Sequence, residues 1–421
     1  MDISGPRGTH DILPDEIKIW HKMEQVLRKT AEIYGYSEIR TPIFEYTELF
    51  ERGVGGTTDI VQKEMYTFED KAGRSLTLRP EGTASCARAF IQHRMYNQPQ
   101  PTKMYYIGPM FRYDRPQSGR YRQFHQFGVE VFGTRSPAVD AEVITLMVDI
   151  VKRLGLRRYE LHLNTVGCGN CRPHYRQTLT EFLRPLQADL CRDCQSRVDS
   201  NPLRVLDCKE KRCREILAGF PSILDSICEE CREHFERVKS VLDLYGVQYI
   251  LDERLVRGLD YYTNTAFELL VPGLGAQNAV GGGGRYDNLV AQVGGPDTVG
   301  IGFAMGMERL LLALEENQVE LVDGEGVEVY VAFNSPELEP LANIALNELR
   351  SADIKAERDY GDRSLRAQMK QANRSQAVVT VLIGENEAKS GTYSLRDMDT
   401  GEQFEIEQNA LIAEIKKILM K

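Results

Sequence analysis

The stretch GPMFRYDRPQSGRYRQFHQFGVEVFG, residues 108–133, contains two strand-like segments joined by a polar loop. The loop carries a proline, a glycine and several arginines, which are typical of a turn. Two strand patterns joined by so short a connection predict an antiparallel hairpin, because parallel strands need a longer crossover. The stretch therefore favours an antiparallel sheet over a doubly wound parallel one.

Strand patterns recur on both sides of this hairpin and mostly follow one another through turns. Helical patterns fall between groups of strands, at residues 14–34, 86–94, 138–154, 230–245 and 306–315. Together they predict an α+β domain with a mostly antiparallel sheet. The segment SEIRTPIF, residues 37–44, also has a strand pattern, but Pro42 confines it to a sheet edge or an interface.

The pattern changes in the last part of the chain, residues 326–421. Short apolar strands such as VEVYVAF alternate there with helices such as PLANIALNELRSA. Alternating β and α segments predict a small, separate α/β domain.

The composition is that of a globular protein, with 421 residues, 27% charged residues and a formal net charge of −10. The length predicts two or three domains. No apolar run reaches membrane-spanning length and the start lacks the regions of a signal peptide, so we expect a cytoplasmic protein with no membrane partner. The negative charge argues against bulk nucleic-acid binding, although a local basic patch could still meet a phosphate backbone.

Eight of the nine cysteines crowd into residues 168–231, which indicates a separate module. They form the pairs CGNC, CRDC, CKEKRC and CEEC, whose spacing is that of tetrahedral zinc ligands. Nested pairing predicts two structural Zn²⁺ sites: an inner one at Cys191, Cys194, Cys208 and Cys213, and an outer one at Cys168, Cys171, Cys228 and Cys231. Free thiols and crossed pairing are the alternatives.

Three further segments have the chemistry of a ligand site. The glycine-spaced strand VGIGFAMG runs into a helix that carries Arg309, where small residues allow a flat ligand close to the backbone. The four glycines in AVGGGGRYDNL, residues 279–289, suit no packed strand and predict a ligand or another backbone against them. LRPEGTASCARAF, residues 78–90, supplies Glu81 and Thr83 before a helix, where helix capping is the simpler interpretation.

Charged and polar residues within predicted strands also indicate a ligand site. Arg112 is predicted inside the first strand of the hairpin, where it would need an anionic partner. Gln126 and Glu130 are four residues apart on the return strand and so share a face. In RLVRGLDYYTNTAFEL, residues 254–269, an uninterrupted strand would turn Arg257 and Tyr261 to one face, and Asp260 and Tyr262 to the other. That segment is either a half-exposed hairpin or part of a ligand site.

These segments together resemble motifs two and three of the class II aminoacyl-tRNA synthetases. LVRGLDYYTNTAFE and GGGGRYDNL resemble the two histidine-specific signatures of the histidyl-tRNA synthetase family. GPRGTHDILP, LRPEGTA and FRYDRPQSGRYRQFHQFG match the same family. The resemblance covers nearly the whole chain, with its motifs in the family's order.

The resemblance implies a histidine–tRNA ligase that works as a homodimer. Histidine and ATP, with Mg²⁺, would give histidyl-adenylate and pyrophosphate, and histidine would then pass to the 3′ end of tRNA(His). The implied domains are a catalytic domain in two parts, residues 1–165 and 235–322, a cysteine-rich insertion at 166–234, and an anticodon-binding domain at 326–421.

The resemblance also implies roles for individual residues. Arg112 would hold the α-phosphate and carboxylate region, and Arg309 the γ-phosphate. Arg257, the distinctive arginine of the family, would approach the α-phosphate from the other side, and Arg120 would join these arginines in binding ATP. The histidine-binding residues would be Glu81, Thr83 and Gln126 at the amino and carboxylate groups, and Glu130, Tyr261, Tyr262, Gly283 and Gly284 around the imidazole.

Two basic surfaces are candidates for tRNA contacts. Arg115, Arg120 and Arg122 in the hairpin loop would meet the acceptor end. In the C-terminal domain, Arg366, Lys370 and Arg374 share one helical face, with Leu365 and Met369 expected towards the core. A solvated helix face is the alternative for this second surface.

One competing function belongs to another class. A catalytically inactive paralogue could use the same fold as a histidine-binding regulatory subunit of a histidine-biosynthesis phosphoribosyltransferase. Such paralogues usually lack the C-terminal domain and have eroded signatures. Here Arg257, Arg309 and the terminal domain are all present, which favours the ligase.

Overall fold

The structure is a computed structural model of the chain. It describes residues 3–55, 58, 60–256, 261–274, 278–321, 326–361 and 363–420. The chain divides into two compact units, residues 1–321 and 322–421.

The helices of the first unit, in chain order, are α1 Pro14–Ile33, α2 Thr47–Val54, α3 Thr83–Gln92, α4 Pro137–Arg153, α5 Cys171–Leu183, α6 Arg192–Ser200, α7 Leu203–Leu206, α8 Lys211–Ile216, α9 Glu229–Leu244, α10 Leu289–Gln292 and α11 Met307–Glu316. Its strands are β1 Ser37–Glu38, β2 Phe44–Tyr46, β3 Tyr66–Glu69, β4 Ser75–Leu78, β5 Thr102–Phe111, β6 Gln123–Phe132, β7 Glu160–Thr165, β8 Ile250–Leu251, β9 Thr263–Leu270, β10 Ala279–Arg285 and β11 Gly300–Gly306.

One large sheet organises this unit. Within the described ranges its strand order is β1-β5-β6-β11-β10-β9-β7-β8. Every pair from β5 to β7 is antiparallel, and only the two-residue edge strands β1 and β8 pair in parallel. The predicted α+β class with a mostly antiparallel sheet is confirmed, and the hairpin at 108–133 is the pair β5–β6.

Apolar residues of α1, α4 and α9 pack against this sheet in the main core. Inside that layer lies a charged pair: Arg285 at the end of β10 donates to Asp140 of α4 at 2.6 Å, and both side chains are fully buried. Thr265 also donates to Asp140 at 2.6 Å. A buried pair survives only when its remaining hydrogen-bonding capacity is used, as it is here. The pair therefore fixes β9 and β10 against α4.

The four consecutive glycines lie within β10, a central strand, so the expectation that a packed strand excludes them is wrong. A Cβ on Gly283 would lie 2.0 Å from the carbonyl oxygen of Gly302, and a Cβ on Gly284 would lie 2.4 Å from that of Thr265. The neighbouring strands approach so closely that no side chain fits. Of the two expected causes, another backbone is the one that the structure shows at these positions.

The second unit has helices α12 Glu339–Ser351, α13 Leu365–Arg374, α14 Glu385–Ser390 and α15 Leu411–Leu419, and strands β12 Val329–Phe333, β13 Ala356–Arg358, β14 Val379–Ile383, β15 Thr392–Asp397 and β16 Gln403–Glu407. The strand order is β13-β12-β14-β15-β16, parallel among the first three and antiparallel in the last two pairs. The α/β prediction holds for its first part. The end is instead a hairpin, because Asp397 accepts the backbone N–H groups of Asp399 and Thr400 in a tight turn that the periodicity did not reveal.

None of the helices in the described residues combines the length and the apolar character needed to cross a bilayer.

Candidate active site

A cleft of about 220 Å³ opens over the middle of the large sheet. Strands β6, β9, β10 and β11, the β5–β6 loop and the first turn of α11 supply its walls. Its lining combines arginines, carboxylates and small residues: Arg112, Asp114, Gly119, Arg120, Tyr121, Phe124, Gln126, Glu268, Ala279, Val280, Gly281, Gly282, Ala304, Gly306, Glu308 and Arg309. The glycines and alanines leave the floor flat, which suits a planar ligand.

Three arginines line the cleft together with three carboxylates, Asp114, Glu268 and Glu308. Burial lowers the pKa of both Arg112 and Arg309, and the nearby Arg120 lowers each further through charge repulsion. Arg120 also forms an ion pair with Asp114. Cations that are desolvated and repel one another are stabilised by an incoming anion, so the cleft favours a polyanionic ligand.

The position of Arg112 differs from the prediction. It is the first residue after β5 rather than within it, and its Nε donates to the carbonyl oxygen of Pro80 at 2.9 Å. Its guanidinium carbon lies 5.3 Å from the centre of the Phe124 ring. A carbonyl and an aromatic face hold the side chain in place, and the negative charges of Glu64 and Glu81 raise its pKa against the effect of burial, as expected for a strand-end arginine with anionic partners.

Glu81 and Thr83 stand at the start of α3. The two carboxylate oxygens of Glu81 accept the backbone N–H groups of Thr83 and Ala84 at 2.7 and 2.8 Å. The capping interpretation of this segment is therefore what the structure shows. A carboxylate has about four acceptor positions, so capping still leaves capacity for an ammonium group.

Glu130 is buried to 1% exposure beside this helix start. Its Oε1 accepts the hydroxyl of Thr83 at 2.7 Å, and its Oε2 accepts the hydroxyl of Tyr286. Burial raises its pKa to about 8. A buried carboxyl group that can either donate or accept a proton is suited to a ring that carries both N–H and N, such as an imidazole.

Tyr261 and Tyr262 lie next to Glu130 but not on opposite faces of a strand. β9 begins at Thr263, so both tyrosines precede it, and their ring centres are 4.7 Å apart. Tyr261 also meets Tyr286 edge-on at 5.7 Å. Burial raises the pKa of Tyr261 and of Tyr286 well above the usual value, so both stay neutral phenols. Arg257 and Asp260 of the same segment lie outside the described residues.

The remaining predicted histidine contacts divide between the cleft and its wall. Gln126 lines the cleft, and its buried Oε1 has no hydrogen-bond partner among the described residues. Gly283 and Gly284 are buried behind it, and a Cβ on Gly284 would come within 2.9 Å of the Tyr262 ring. Gly281 and Gly282, rather than these two, belong to the cleft lining.

Three residues in or beside the site were missed by the sequence argument. Tyr286 holds Glu130, and Glu268 lines the cleft. Glu308 accepts both the backbone N–H and the ring Nδ1 of His125 at 2.9 Å, which ties α11 to β6. Glu268 and Tyr286 stand inside the quoted motifs LVRGLDYYTNTAFE and GGGGRYDNL, and Glu308 directly precedes Arg309 in the helix after VGIGFAMG. Those positions were the signal that could have found them.

Away from the cleft, the structure collects the eight clustered cysteines into two groups of four. Cys168, Cys171, Cys228 and Cys231 form one group; Cys191, Cys194, Cys208 and Cys213 form the other, and within each the sulfur atoms all lie within 4.8 Å. No disulfide joins the described cysteines. The grouping is the nested arrangement and not the crossed one.

In the second unit the basic residues Arg366, Lys370 and Arg374 of α13 are exposed. Met369 packs partly against a small core, but Leu365 is exposed, and the buried residues of this helix are Gln368 and Ala372. The expectation that Leu365 faces the core is wrong. It stands in the first turn, before the helix reaches the sheet.

An antiparallel sheet with an arginine-lined cleft, joined to an α/β unit, is the arrangement of the class II aminoacyl-tRNA synthetases. Comparison of the sequence with models of known protein families identifies the family within this class. The family model described as histidyl-tRNA synthetase matches residues 8–310, and one described as an anticodon binding domain matches residues 328–418. The chain belongs to the histidyl-tRNA synthetase family.

Relatives match along the whole chain. A protein of Syntrophomonas wolfei named histidine–tRNA ligase is 54% identical, covering 100% of this chain and 99% of its own. One of Moorella thermoacetica with the same name is 53% identical over 99% of both chains. The apo structure of the histidyl-tRNA synthetase of S. aureus matches with a TM-score of 0.84 and 43% identity, covering 99% of this chain and 100% of that one.

A structure from Bacillus halodurans, described as an ATP phosphoribosyltransferase regulatory subunit/histidyl-tRNA synthetase, shares the fold. It has a TM-score of 0.65 at 23% identity, covering 91% of this chain and 99% of that one. At that identity the likeness shows the fold alone and gives the regulatory alternative no support beyond it.

Proposed function

We propose that this chain activates histidine with ATP, releasing pyrophosphate, and then transfers histidine to the 3′ end of its tRNA. The full-length relatives named histidine–tRNA ligase support this function. The observation that carries it is the adjacency of an arginine-lined cleft and a buried pocket of Glu130, Tyr261 and Tyr286.

The cleft supports the phosphate chemistry. Adenylate formation places extra negative charge on the α-phosphorus while a carboxylate attacks it, so fixed cations lower the barrier and hold the reactants in line. We assign Arg112 to the α-phosphate and the attacking carboxylate, and Arg309 with Arg120 to the other phosphates. Arg257 approaches the α-phosphate from the opposite side in this proposal.

The pocket supports the choice of amino acid. Gln126, Glu81 and Thr83 would receive the amino and carboxylate groups of histidine. Glu130 and the tyrosines would read the imidazole, because an apolar side chain of similar size would leave these buried polar groups unpaired. A site built to hydrogen-bond its substrate rejects such an analogue strongly.

Magnesium is part of the proposal as the counter-ion of ATP. The residues fit it modestly: Glu268 supplies a carboxylate at the cleft, whereas both oxygens of Glu308 already accept from His125. Mg²⁺ is usually held by one or two carboxylates together with substrate phosphates. When bound, it would neutralise the leaving pyrophosphate.

The domain roles and the location complete the proposal. We assign residues 166–234 to a cysteine-rich insertion with structural zinc, and residues 326–421 to the tRNA anticodon. Arg115, Arg120 and Arg122 would contact the acceptor end, and the basic face of α13 the anticodon side. We expect the protein to work in the cytoplasm, where tRNA and ATP are available.

A homodimer is proposed from an exposed apolar face. β2, β4 and β3 form a separate antiparallel sheet, and the pairs Phe44–Leu78 and Tyr46–Leu76 place four apolar residues on one face. Phe44 and Tyr46 are 51% and 53% exposed, while Thr77 on the other face is fully buried. An apolar face turned away from its own core indicates an interface, and we assign it to a second copy of this chain.

The experiment is ATP–pyrophosphate exchange with each of the twenty amino acids in turn. We expect exchange with histidine alone, followed by histidine transfer to tRNA. Folded protein that binds ATP yet supports exchange with no amino acid would favour the regulatory function instead.

A further inference from the structure

The two cysteine groups occupy different places in the fold. The inner group, Cys191, Cys194, Cys208 and Cys213, lies within α6, α8 and the turns beside them. The outer group, Cys168, Cys171, Cys228 and Cys231, stands where the chain leaves β7 and where it returns in α9. Only the outer group therefore adjoins the catalytic sheet.

Both groups have the dimensions of a mononuclear metal site. Four sulfurs at about 2.3 Å from a tetrahedral Zn²⁺ lie about 3.8 Å from one another. The outer group has Cys168–Cys171 at 3.5 Å and Cys171–Cys231 at 4.0 Å, and the inner group has Cys191–Cys208 at 3.8 Å. An iron–sulfur cluster spreads its four thiolates over two or four irons, so some of its sulfurs lie farther apart than the 4.8 Å that bounds each group.

Each group also has a backbone N–H directed at a sulfur atom. Cys228 N–H donates to the Cys171 sulfur at 3.1 Å, and Cys191 N–H donates to the Cys213 sulfur at 3.2 Å. Such bonds stabilise a thiolate and orient it as a ligand. Cys228 and Cys191 hold equivalent positions, since each is the N-cap of a helix that carries the next cysteine three residues on.

The outer group is joined by hydrogen bonds to the start of β9. Asn264 N–H donates to the carbonyl of Gly167 at 2.9 Å, and Val166 N–H donates to the carbonyl of Asn264 at 2.7 Å. The guanidinium of Arg172, next to Cys171, donates to the carbonyl of Tyr262 at 2.7 Å. These three bonds hold the backbone that carries the tyrosine pair.

The held backbone is strained. Asn264 has φ of +49°, a left-handed conformation that asparagine tolerates better than most residues but that still has to be fixed by its surroundings. The bonds to residues 166 and 167 supply the backbone part of that constraint, and the side chain of Asn264 donates to Asp287 at 2.9 Å. Loosening the turn at Cys168–Cys171 would weaken the backbone part and so shift Asn264 and, with it, Tyr261 and Tyr262.

We propose that both groups bind Zn²⁺, and that the outer zinc positions the Tyr261–Asn264 segment of the histidine pocket while the inner zinc stabilises the insertion alone. The metal sites follow from the cysteine geometry. The test of the positioning role by histidine affinity depends on the proposed function; its tests by zinc content and amide exchange do not.

The test compares Cys228→Ser with its matched control Cys191→Ser. Serine is a favourable N-cap residue of similar size, so each change removes one metal ligand without disturbing the start of the helix. In protein purified without chelator, metal analysis should give about two zinc ions per chain in the wild type and about one in each variant. Wild type with less than one zinc, iron in place of zinc, or two zinc ions retained in Cys228→Ser would overturn the metal assignment.

Pyrophosphate exchange then distinguishes the roles of the two zinc ions. We expect Cys228→Ser to raise the KM for histidine about tenfold, with kcat and the KM for ATP changed less than about twofold. Cys191→Ser should leave all three constants near those of the wild type. Equal histidine KM values in the two variants would overturn the positioning role.

Two further measurements distinguish the positioning role from misfolding of a variant and from failure of the proposed function. Arg172→Met should keep two zinc ions and still raise the KM for histidine, since it removes the bond to Tyr262 but no metal ligand. Amide hydrogen exchange needs no activity: Cys228→Ser should speed exchange of the Asn264 N–H and Cys191→Ser should not. A wild type without histidine-dependent exchange would reject the proposed function, while zinc content and amide exchange would still decide this inference.

Discussion

Glu130 shows how burial can prepare one side chain for a substrate. Thr83 and Tyr286 satisfy its oxygens from two different elements, and burial holds its pKa near 8. Without histidine the group therefore carries a proton at neutral pH. An imidazole N–H that donates to it would favour the ionised form, so the residue can match its charge to the bound ring.

The raised pKa of Glu130 predicts a pH-dependent stability. An unfolded glutamate ionises near pH 4.3, so between about pH 4.3 and about pH 8 the folded state holds a proton that the unfolded state has released. Stability is then lost as the pH rises through this window. In urea denaturation without histidine, Glu130→Gln should lose less free energy of unfolding than the wild type between about pH 5 and about pH 8. The exposed Glu357→Gln is the control, and parallel curves for Glu130→Gln and the wild type would contradict the assignment.

Arg257 carries the sharpest prediction for the chemical step. Removing one group that stabilises a transition-state charge commonly costs about 10² to 10³ in rate. We expect Arg257→Ala to reduce pyrophosphate exchange at least this far, with an unchanged thermal unfolding transition. Arg254→Ala, which removes an arginine lying over Phe220, is the matched control. Near-normal exchange in Arg257→Ala would refute its role.

At the scale of elements, the glycines of β10 make the site possible by bringing three strands together. The carbonyl oxygen of Gly302 occupies the space of a Cβ on Gly283, and that of Thr265 occupies the space of one on Gly284. At these two positions the strand has no side chain between its neighbours, and the adjoining Gly281 and Gly282 line the cleft.

Gly283→Ala should therefore destabilise the first unit by about 3 kcal/mol or more, at the upper end for overpacking, because backbone rather than a flexible side chain must move. Urea or thermal denaturation measures this loss. Gly5→Ala, where the nearest atom to a new Cβ is 3.6 Å away, should change little. Equal stability of the two variants would show that the sheet can open at Gly283.

Helix α13 offers an element-scale test of tRNA contact. Arg366 and Lys370 are exposed on one face, so replacing both with glutamine should weaken tRNA binding and reduce the slope of log affinity against log salt by about two. Filter binding at several salt concentrations measures both quantities. Lys416→Gln/Lys417→Gln on α15 removes the same charge elsewhere in that unit. An unchanged slope in the α13 variant would favour the alternative, in which this face of α13 is solvated and does not contact tRNA.

At the scale of the whole molecule, the exposed face of the β2-β4-β3 sheet is the feature that a monomer does not explain. Its apolar residues point outward, while on the other face the hydroxyl of Thr77 bonds to those of Thr47 and Thr67, each at 2.9 Å. In most sheets the apolar face packs on the core and the polar face meets solvent, whereas here the apolar face is exposed and Thr77 on the opposite face is buried. Covering the apolar face with a second copy restores the usual arrangement.

Phe44→Lys should accordingly shift the protein from dimer to monomer mass in light scattering, because a charge would be buried in the interface without a partner. Phe404→Lys, at another exposed aromatic position on β16, is the control. A wild type of monomer mass, or a Phe44→Lys variant of dimer mass, would remove this face from the proposed interface.

By itself, the sequence determined the antiparallel hairpin, the α+β class, the α/β character of the second unit and the family, because these depend on local periodicity and on motifs a few residues long. Spacing alone also predicted the nested cysteine groups. Tertiary structure decided the rest. Asp140 and Arg285 pair across 145 positions. The carbonyl oxygens of Gly302 and Thr265 meet the glycines of β10 across strands. The tyrosine pair precedes β9, whose Asn264 has a positive φ and bonds to residues 166 and 167. Such contacts depend on which distant segments the fold brings together, and periodicity within one segment carries no record of them.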